Sequence, residues 1–327
     1  MKMILRILFF LGLAIVLFIG LGILYVSFAL PNVGPAPEMN IEITQERVDR
    51  GKYLAWHVMM CAECHGKRDF SIFGGPPIPG TEFGGGEIFD HSMGLPGIFV
   101  SPNITPYGIG DWTDGEIFRL ITTGVTKDGE PIFPIMPYHS YGTLDPEDIK
   151  SVIAYLRTLE PIINDPPKSV ADFPVNLIMR TLPTEAAFTD LPEKSNLLAY
   201  GKYLFDAAAC GDCHTNFVKG EFIGPLGGGG REFQFPDGSI LRTSNITPHE
   251  TGILHYTRES FVNRFKMYGD TALVLPTVEP GDFQTIMPWK MYSGMTETDL
   301  GAIYEYLLTL EPYENQLEVF TASVNYK

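Results

Sequence analysis

All four cysteines of the 327-residue chain fall in two frames of one pattern, Cys61-Ala62-Glu63-Cys64-His65 and Cys210-Gly211-Asp212-Cys213-His214. Cysteines three apart share one face of a helical turn, so both sulfurs of a frame can reach one edge of a flat ligand. That geometry suits thioether bonds to the two vinyl groups of a porphyrin. The following histidine then lies under the ring as an axial iron ligand. Other uses of paired cysteines fit less well. Two disulfides would close tiny strained loops and leave both histidines without a role. A thioredoxin-like pair lacks a βαβ context, and a zinc site of four thiolates would need the two frames to meet. The expectation is two covalently bound haems c, held by Cys61, Cys64, Cys210 and Cys213, with His65 and His214 on the metal.

A closed haem needs a sixth ligand. The first frame is accompanied by Met59, Met60, Met93, Met136, His57, His91 and His139, and the second by Met267, Met287, Met291, Met295, His249 and His255. Most of the 12 methionines are expected to be apolar filler. One pair stands out by position: Met136 lies 71 residues after His65 and Met287 lies 73 after His214, each between Ile and Pro. A thioether is a soft, weakly donating ligand that raises the iron potential relative to a second imidazole. Met136 and Met287 are therefore the expected sixth ligands, with Met291 and His139 as nearest rivals.

The elements that must position these residues are repeated. Gly51-Lys52-Tyr53-Leu54, Asn103-Ile104-Thr105-Pro106, Ile135-Met136-Pro137 and Thr158-Leu159-Glu160-Pro161 recur in the same order, 150, 142, 151 and 151 residues later. Such self-similarity predicts two homologous modules, over 40–162 and 196–314. Between them, residues 163–195 carry five prolines and read as an extended linker. Residues 315–327 form a C-terminal tail. Each module opens with a helix, near Gln45–Met60 and Leu197–Ala209. Each closes with another, capped by Asp145 or Thr296 and stopped by Pro161 or Pro312. Gly51 and Gly201 would let a second helix approach closely. Gly 34 and Pro 26 make about 18% of the chain, so the remainder is expected to be loop with little core of its own.

Lys2 and Arg6 precede twenty-four uncharged residues, Ile7 to Leu30, long enough to cross a bilayer. The stretch exceeds the apolar region of an ordinary signal peptide, so residues 1–30 are expected to be an uncleaved anchor. The basic end then stays in the cytoplasm and the modules lie on the periplasmic side. With a net charge of −16, the chain would repel nucleic-acid phosphates and anionic lipid heads.

The apolar N-terminus, both Cys-x-x-Cys-His frames, the Asn-Ile-Thr-Pro segments before Trp112 and Tyr256, and the Ile-Met-Pro loops resemble membrane-bound class I c-type cytochromes. The similarity is greatest to the cytochrome subunits of bacterial membrane alcohol and gluconate dehydrogenases, and it covers nearly the whole chain after residue 45. The resemblance implies a mainly α, loop-rich fold of two tandem cytochrome c domains behind a transmembrane helix. It also implies electron transfer from a dehydrogenase toward the respiratory chain. Those relatives carry three such modules and this chain two. A redox partner (dehydrogenase, cytochrome or terminal oxidase) is expected, and no residue is assigned a catalytic role. A di-haem peroxidase would need an open iron position, which a methionine in each module disfavours. An anchored terminal-oxidase subunit would have more compact modules. Trp112, Arg119 and Arg242 are candidates for haem propionates. The glycine clusters at 84–86 and 227–230 suit close backbone passage or turns.

Overall fold

A computed structural model of the chain describes residues 1–323, so residues 324–327 of the expected tail lie outside the described residues. About 40% of the chain is helical. α1 (Lys2–Ala29) is an apolar rod with no buried residue, ending where Leu30 turns extended before Pro31. Then follow α2 (Gln45–Tyr53), α3 (Cys61–Cys64), α4 (Pro106–Ile109), α5 (Asp114–Thr123), α6 (Tyr138–Tyr141), α7 (Pro146–Arg157) and α8 (Val175–Ile178). The second half contains α9 (Leu197–Ala207), α10 (Cys210–His214), α11 (Arg258–Lys266), α12 (Trp289–Tyr292) and α13 (Glu297–Leu307). Short strands form three small antiparallel sheets. β1 (Ile88–Phe89), β2 (Gly97–Val100) and β3 (Val170–Ala171) make one; β4 (Asn216–Val218) and β5 (Glu221–Ile223) a hairpin; β6 (Glu232–Gln234), β7 (Ile240–Arg242) and β8 (Phe320–Thr321) the third.

The opening and closing helices pack together in each half, α2 on α7 and α9 on α13. Glycine is required at both crossings. A Cβ on Gly51 would stand 1.8 Å from the Ser151 carbonyl oxygen, and one on Gly201 1.9 Å from that of Ala302. Asp145 and Thr296 cap the closing helices as expected, accepting from the Glu147 and Asp299 amides. These helices end earlier than the prolines suggest, at Arg157 and Leu307, so Pro161 and Pro312 lie beyond the stop and do not cause it. The first half has one extra residue between its glycine and its first cysteine. A π-helical turn over Leu54–Val58 takes it up.

The halves meet through reciprocal contacts. The Tyr53 hydroxyl donates to Asp299 of the other half at 2.5 Å and accepts from the Thr296 amide at 3.1 Å. Tyr203 donates to Asp148 at 2.7 Å and accepts from the Asp145 amide at 3.1 Å. Asp148 is also gripped by both nitrogens of the Arg50 fork, at 2.8 and 2.6 Å, and Asp299 by Tyr200 at 3.0 Å. Every buried carboxylate oxygen at this seam thus has a donor.

The expectation of little core is overturned. One apolar cluster runs through both halves, with Leu54, Ile149, Ile153, Tyr200, Leu204, Phe205 and Leu300 almost wholly buried. Helix crossings and the seam between the halves supply what loop content alone does not reveal. Nor does the linker hang free. β3 pairs with β2, Gly97 opposite Ala171 and Ile98 opposite Val170. Farther on, the Ala187 and Thr189 amides donate to the Gly142 and Thr143 carbonyls.

Candidate functional site

Each cysteine frame begins after a left-handed residue, Met60 (φ 55°) or Ala209 (φ 50°), which turns the chain sharply out of the opening helix. None of the four sulfurs is in a disulfide among the described residues. Burial, with Cys64 beside it, pushes the Cys61 thiol up to about 12. Burial also pushes Cys64 up to about 12, with smaller contributions from Glu63 and from Cys213. The second frame is tied to the first half through Asp212, which accepts from Ser140.

The histidines are held alike. His65 Nδ1 lies 2.8 Å from the Pro102 carbonyl oxygen, and His214 Nδ1 2.8 Å from that of Ser244. A carbonyl only accepts, so Nδ1 carries the proton and Nε2 keeps its lone pair, the form a metal binds. Burial holds both imidazoles below their usual range, favouring the neutral ring. The accepting carbonyls are placed by the Asn-Ile-Thr-Pro segments that follow them. Asn103 Oδ1 accepts from the Thr105 amide and hydroxyl at 2.9 and 2.7 Å, and Asn245 does the same for Thr247 at 2.9 and 2.8 Å. Both asparagines are buried, which suits this structural role and not glycosylation. The glycine clusters complete the grip. Gly85 and Gly229 donate to the His65 and His214 carbonyls at 2.7 Å. Both sit at positive φ, with backbone crossing so close that a Cβ would fall 2.5 and 2.6 Å from the neighbouring chain.

Met136 and Met287 occupy matching loops against the common core, as do Cys61 and Cys210. In each loop the methionine carbonyl accepts from the residue two on, Tyr138 or Trp289, at 2.8 Å. A tyrosine five residues after the methionine ties the loop to the cysteine frame of its own half. Tyr141 donates to the Met59 carbonyl at 2.9 Å and Tyr292 to that of Ala208 at 2.7 Å, both buried. Sequence reasoning passed over these tyrosines, although their offset of 151 matches that of the methionines. Of the rivals, His139 is exposed against the Tyr138 ring and Met291 is core packing whose carbonyl faces His57 at 3.0 Å.

Each frame's acidic residue leans on the other half. Glu63 is buried with Arg68 at 2.8 Å, and Arg68 reaches the Ile286 carbonyl at 3.5 Å. Burial pushes the Glu63 carboxyl up to about 7, the Arg68 charge pulling the other way. Burial likewise raises Asp212, which accepts from Ser140 at 3.3 Å. A cavity of about 330 Å³ lies beside this contact, bordered by Ser140, Phe205, Asp212 and Leu226. Of the propionate candidates, Arg242 is committed to Glu232 at 2.9 Å, and the Trp112 carbonyl and ring face Arg157 and Lys127. Among the described residues, Arg119 Nε and the Tyr138 hydroxyl are the buried side-chain polar atoms without a partner.

These residues fit a covalent haem c: two thiols on one helical turn, an imidazole with a fixed tautomer, a thioether in a tethered loop and, in the first half, the unsatisfied Tyr138 hydroxyl two residues along that loop. The two frames and the sequence relatives together define a class, and the chain belongs to the c-type cytochromes. It is 31% identical over 218 residues to a di-haem cytochrome c of Cereibacter sphaeroides, covering 62% of this chain and 68% of that one. It is 34% identical over 185 residues to the gluconate 2-dehydrogenase cytochrome c subunit of Pantoea cypripedii, covering 51% of this chain and 38% of that one. To the fructose dehydrogenase cytochrome subunit of Gluconobacter japonicus it is 33% identical over 187 residues, 52% and 35% of the two chains. The match thus spans little more than a third of these dehydrogenase subunits. No family model matches the chain.

Proposed function

We propose that the chain is a di-haem electron carrier, passing single electrons from a dehydrogenase toward the respiratory chain. Its haem-binding units would be residues 40–162 and 196–314, outside the cytoplasmic membrane. The observation that carries the reading is the pair of Cys-x-x-Cys-His frames, each with its histidine Nδ1 fixed on a carbonyl. Bound haem would supply a one-electron Fe(III)/Fe(II) couple. What the polypeptide contributes is rigidity. Cys61, Cys64, Cys210 and Cys213 hold the group covalently, and His65 and His214 present Nε2 from rings that cannot rotate. Met136 and Met287 would offer it thioether sulfurs from loops tethered by Tyr141 and Tyr292. A histidine and a methionine of the protein for each iron would leave no position for a substrate, in keeping with electron transfer. The seam contacts of Tyr53 with Asp299 and of Tyr203 with Asp148 hold the two halves together, so one half could pass an electron to the other without diffusion. The relatives' names support a dehydrogenase donor, and α1 supports membrane attachment, since it is long and apolar enough to span a bilayer. In membranes containing the full chain, adding gluconate, fructose or ethanol in turn should reduce both haems through one native dehydrogenase. Failure of every dehydrogenase substrate to reduce the haems, with rapid oxidation of the chemically reduced haems by added peroxide instead, overturns the reading.

A further inference from the structure

The end of α1 is fastened to the linker. α8 and the 3-10 turn Met179–Thr181 pack against α1. Arg180 Nη1 donates to the carbonyl of Leu30, the C-cap of α1, at 2.8 Å, while its other nitrogen pairs with Glu130. The depth of this joint follows from length. At about 1.5 Å per residue, the 28 residues of α1 exceed a hydrocarbon layer of about 30 Å, which needs about twenty. Lys2 and Arg6 stay out of the hydrocarbon at one end, so Ile7 to Val26 fill it and Ser27 to Leu30 reach the headgroups. Arg180 therefore holds the linker at the level where lipid begins.

What the linker shows there is apolar. Phe173 is 77% exposed and Ile178 49%. On the adjoining sheet Val170 is 64% exposed opposite Ile98 at 45%, paired in register. Single exposed apolar residues are ordinary, but these four follow one another from β2 and β3 into α8, beside the apolar rod. The acid among them, Asp172, is hydrogen-bonded to His91 at 2.7 Å.

We propose that Ile98, Val170, Phe173 and Ile178 form a second membrane contact, seated in the outer boundary of the bilayer that α1 crosses. Lipid is the occupant because the face is continuous with α1 and lies at headgroup depth, where aromatic and aliphatic side chains partition favourably. One helix alone leaves the soluble part free to swing; a second contact fixes which face of the haem-bearing halves looks away from the membrane. The inference rests on the reading of α1 as an uncleaved anchor.

The test uses the full-length, haem-loaded chain in phosphatidylcholine and phosphatidylglycerol vesicles, its native cysteines consumed by thioethers. A nitroxide is placed at Phe173→Cys in one sample and at Phe18→Cys, in the middle of α1, in another, with unchanged haem spectra confirming folding. Both labels should collide with dissolved oxygen several-fold more often than with a water-soluble nickel chelate. A lipid-like response at position 18 with a water-like one at 173 overturns the second contact and leaves the anchor standing. Water-like responses at both positions overturn the anchor reading and the inference with it.

Discussion

At the residue scale, both sites use polar groups to present one free lone pair. The His65 and His214 rings have no rotational choice once Nδ1 donates to Pro102 or Ser244, and those carbonyls have none once Asn103 or Asn245 closes its turn. Replacing Met136 by Ala should remove the far-red charge-transfer band of one oxidised haem, and replacing Met287 that of the other. An unchanged band would point to another methionine such as Met291, and a band already missing from the first haem of the unmodified chain would point to His139. Tyr141→Phe leaves the buried Met59 carbonyl without its donor, which costs about 1–3 kcal/mol in denaturant unfolding. The loosened loop should also lower the affinity of the first haem's sixth ligand, read as easier displacement by imidazole. The cysteines, histidines and methionines could be proposed from the sequence because covalent and metal chemistry admits few residue types. The tyrosines, asparagines and glycines that aim them were not, because hydrogen-bonded positioning accepts many residues and reveals itself only through repeat spacing.

At the element scale, the two helix crossings depend on glycine. Gly51→Ala or Gly201→Ala would force a methyl group into a carbonyl oxygen, so each should destabilise the chain by about 1–3 kcal/mol or more, measured as a lower urea midpoint. The seam between halves makes a separate prediction. Burial, reinforced by Asp299 or Asp148, raises the Tyr53 and Tyr203 phenols above their usual value. Above pH 10 an unfolded chain sheds these protons while the folded one keeps them. The stability they contribute is thus complete below pH 10 and falls as pH rises, by up to about 1.4 kcal/mol per unit for each phenol. Tyr53→Phe with Tyr203→Phe should be less stable at pH 8 and show a shallower alkaline decline in the urea midpoint. An identical decline would remove these phenols from the seam. Sequence pattern located the helices and caps well because spacing and cap residues act locally. It underrated the core because Tyr53 to Asp299 and Tyr203 to Asp148 are contacts between distant segments that no local pattern encodes.

At the scale of the whole molecule, a chain of net charge −16 should meet its redox partner through a basic face, and the electron-transfer rate should fall as ionic strength rises. A flat salt profile in stopped-flow reduction would mean apolar docking. The proposed electron path needs one chain holding two matched haem sites, joined by the contacts of Arg68 with Ile286 and of Asp212 with Ser140. The most direct measurement is haem content per polypeptide, taken by pyridine haemochrome on the purified full-length chain and on a Cys210→Ala, Cys213→Ala variant. The account predicts two covalent haems in the first and one in the second. One haem in the unmodified chain, or two remaining in the variant, would contradict it.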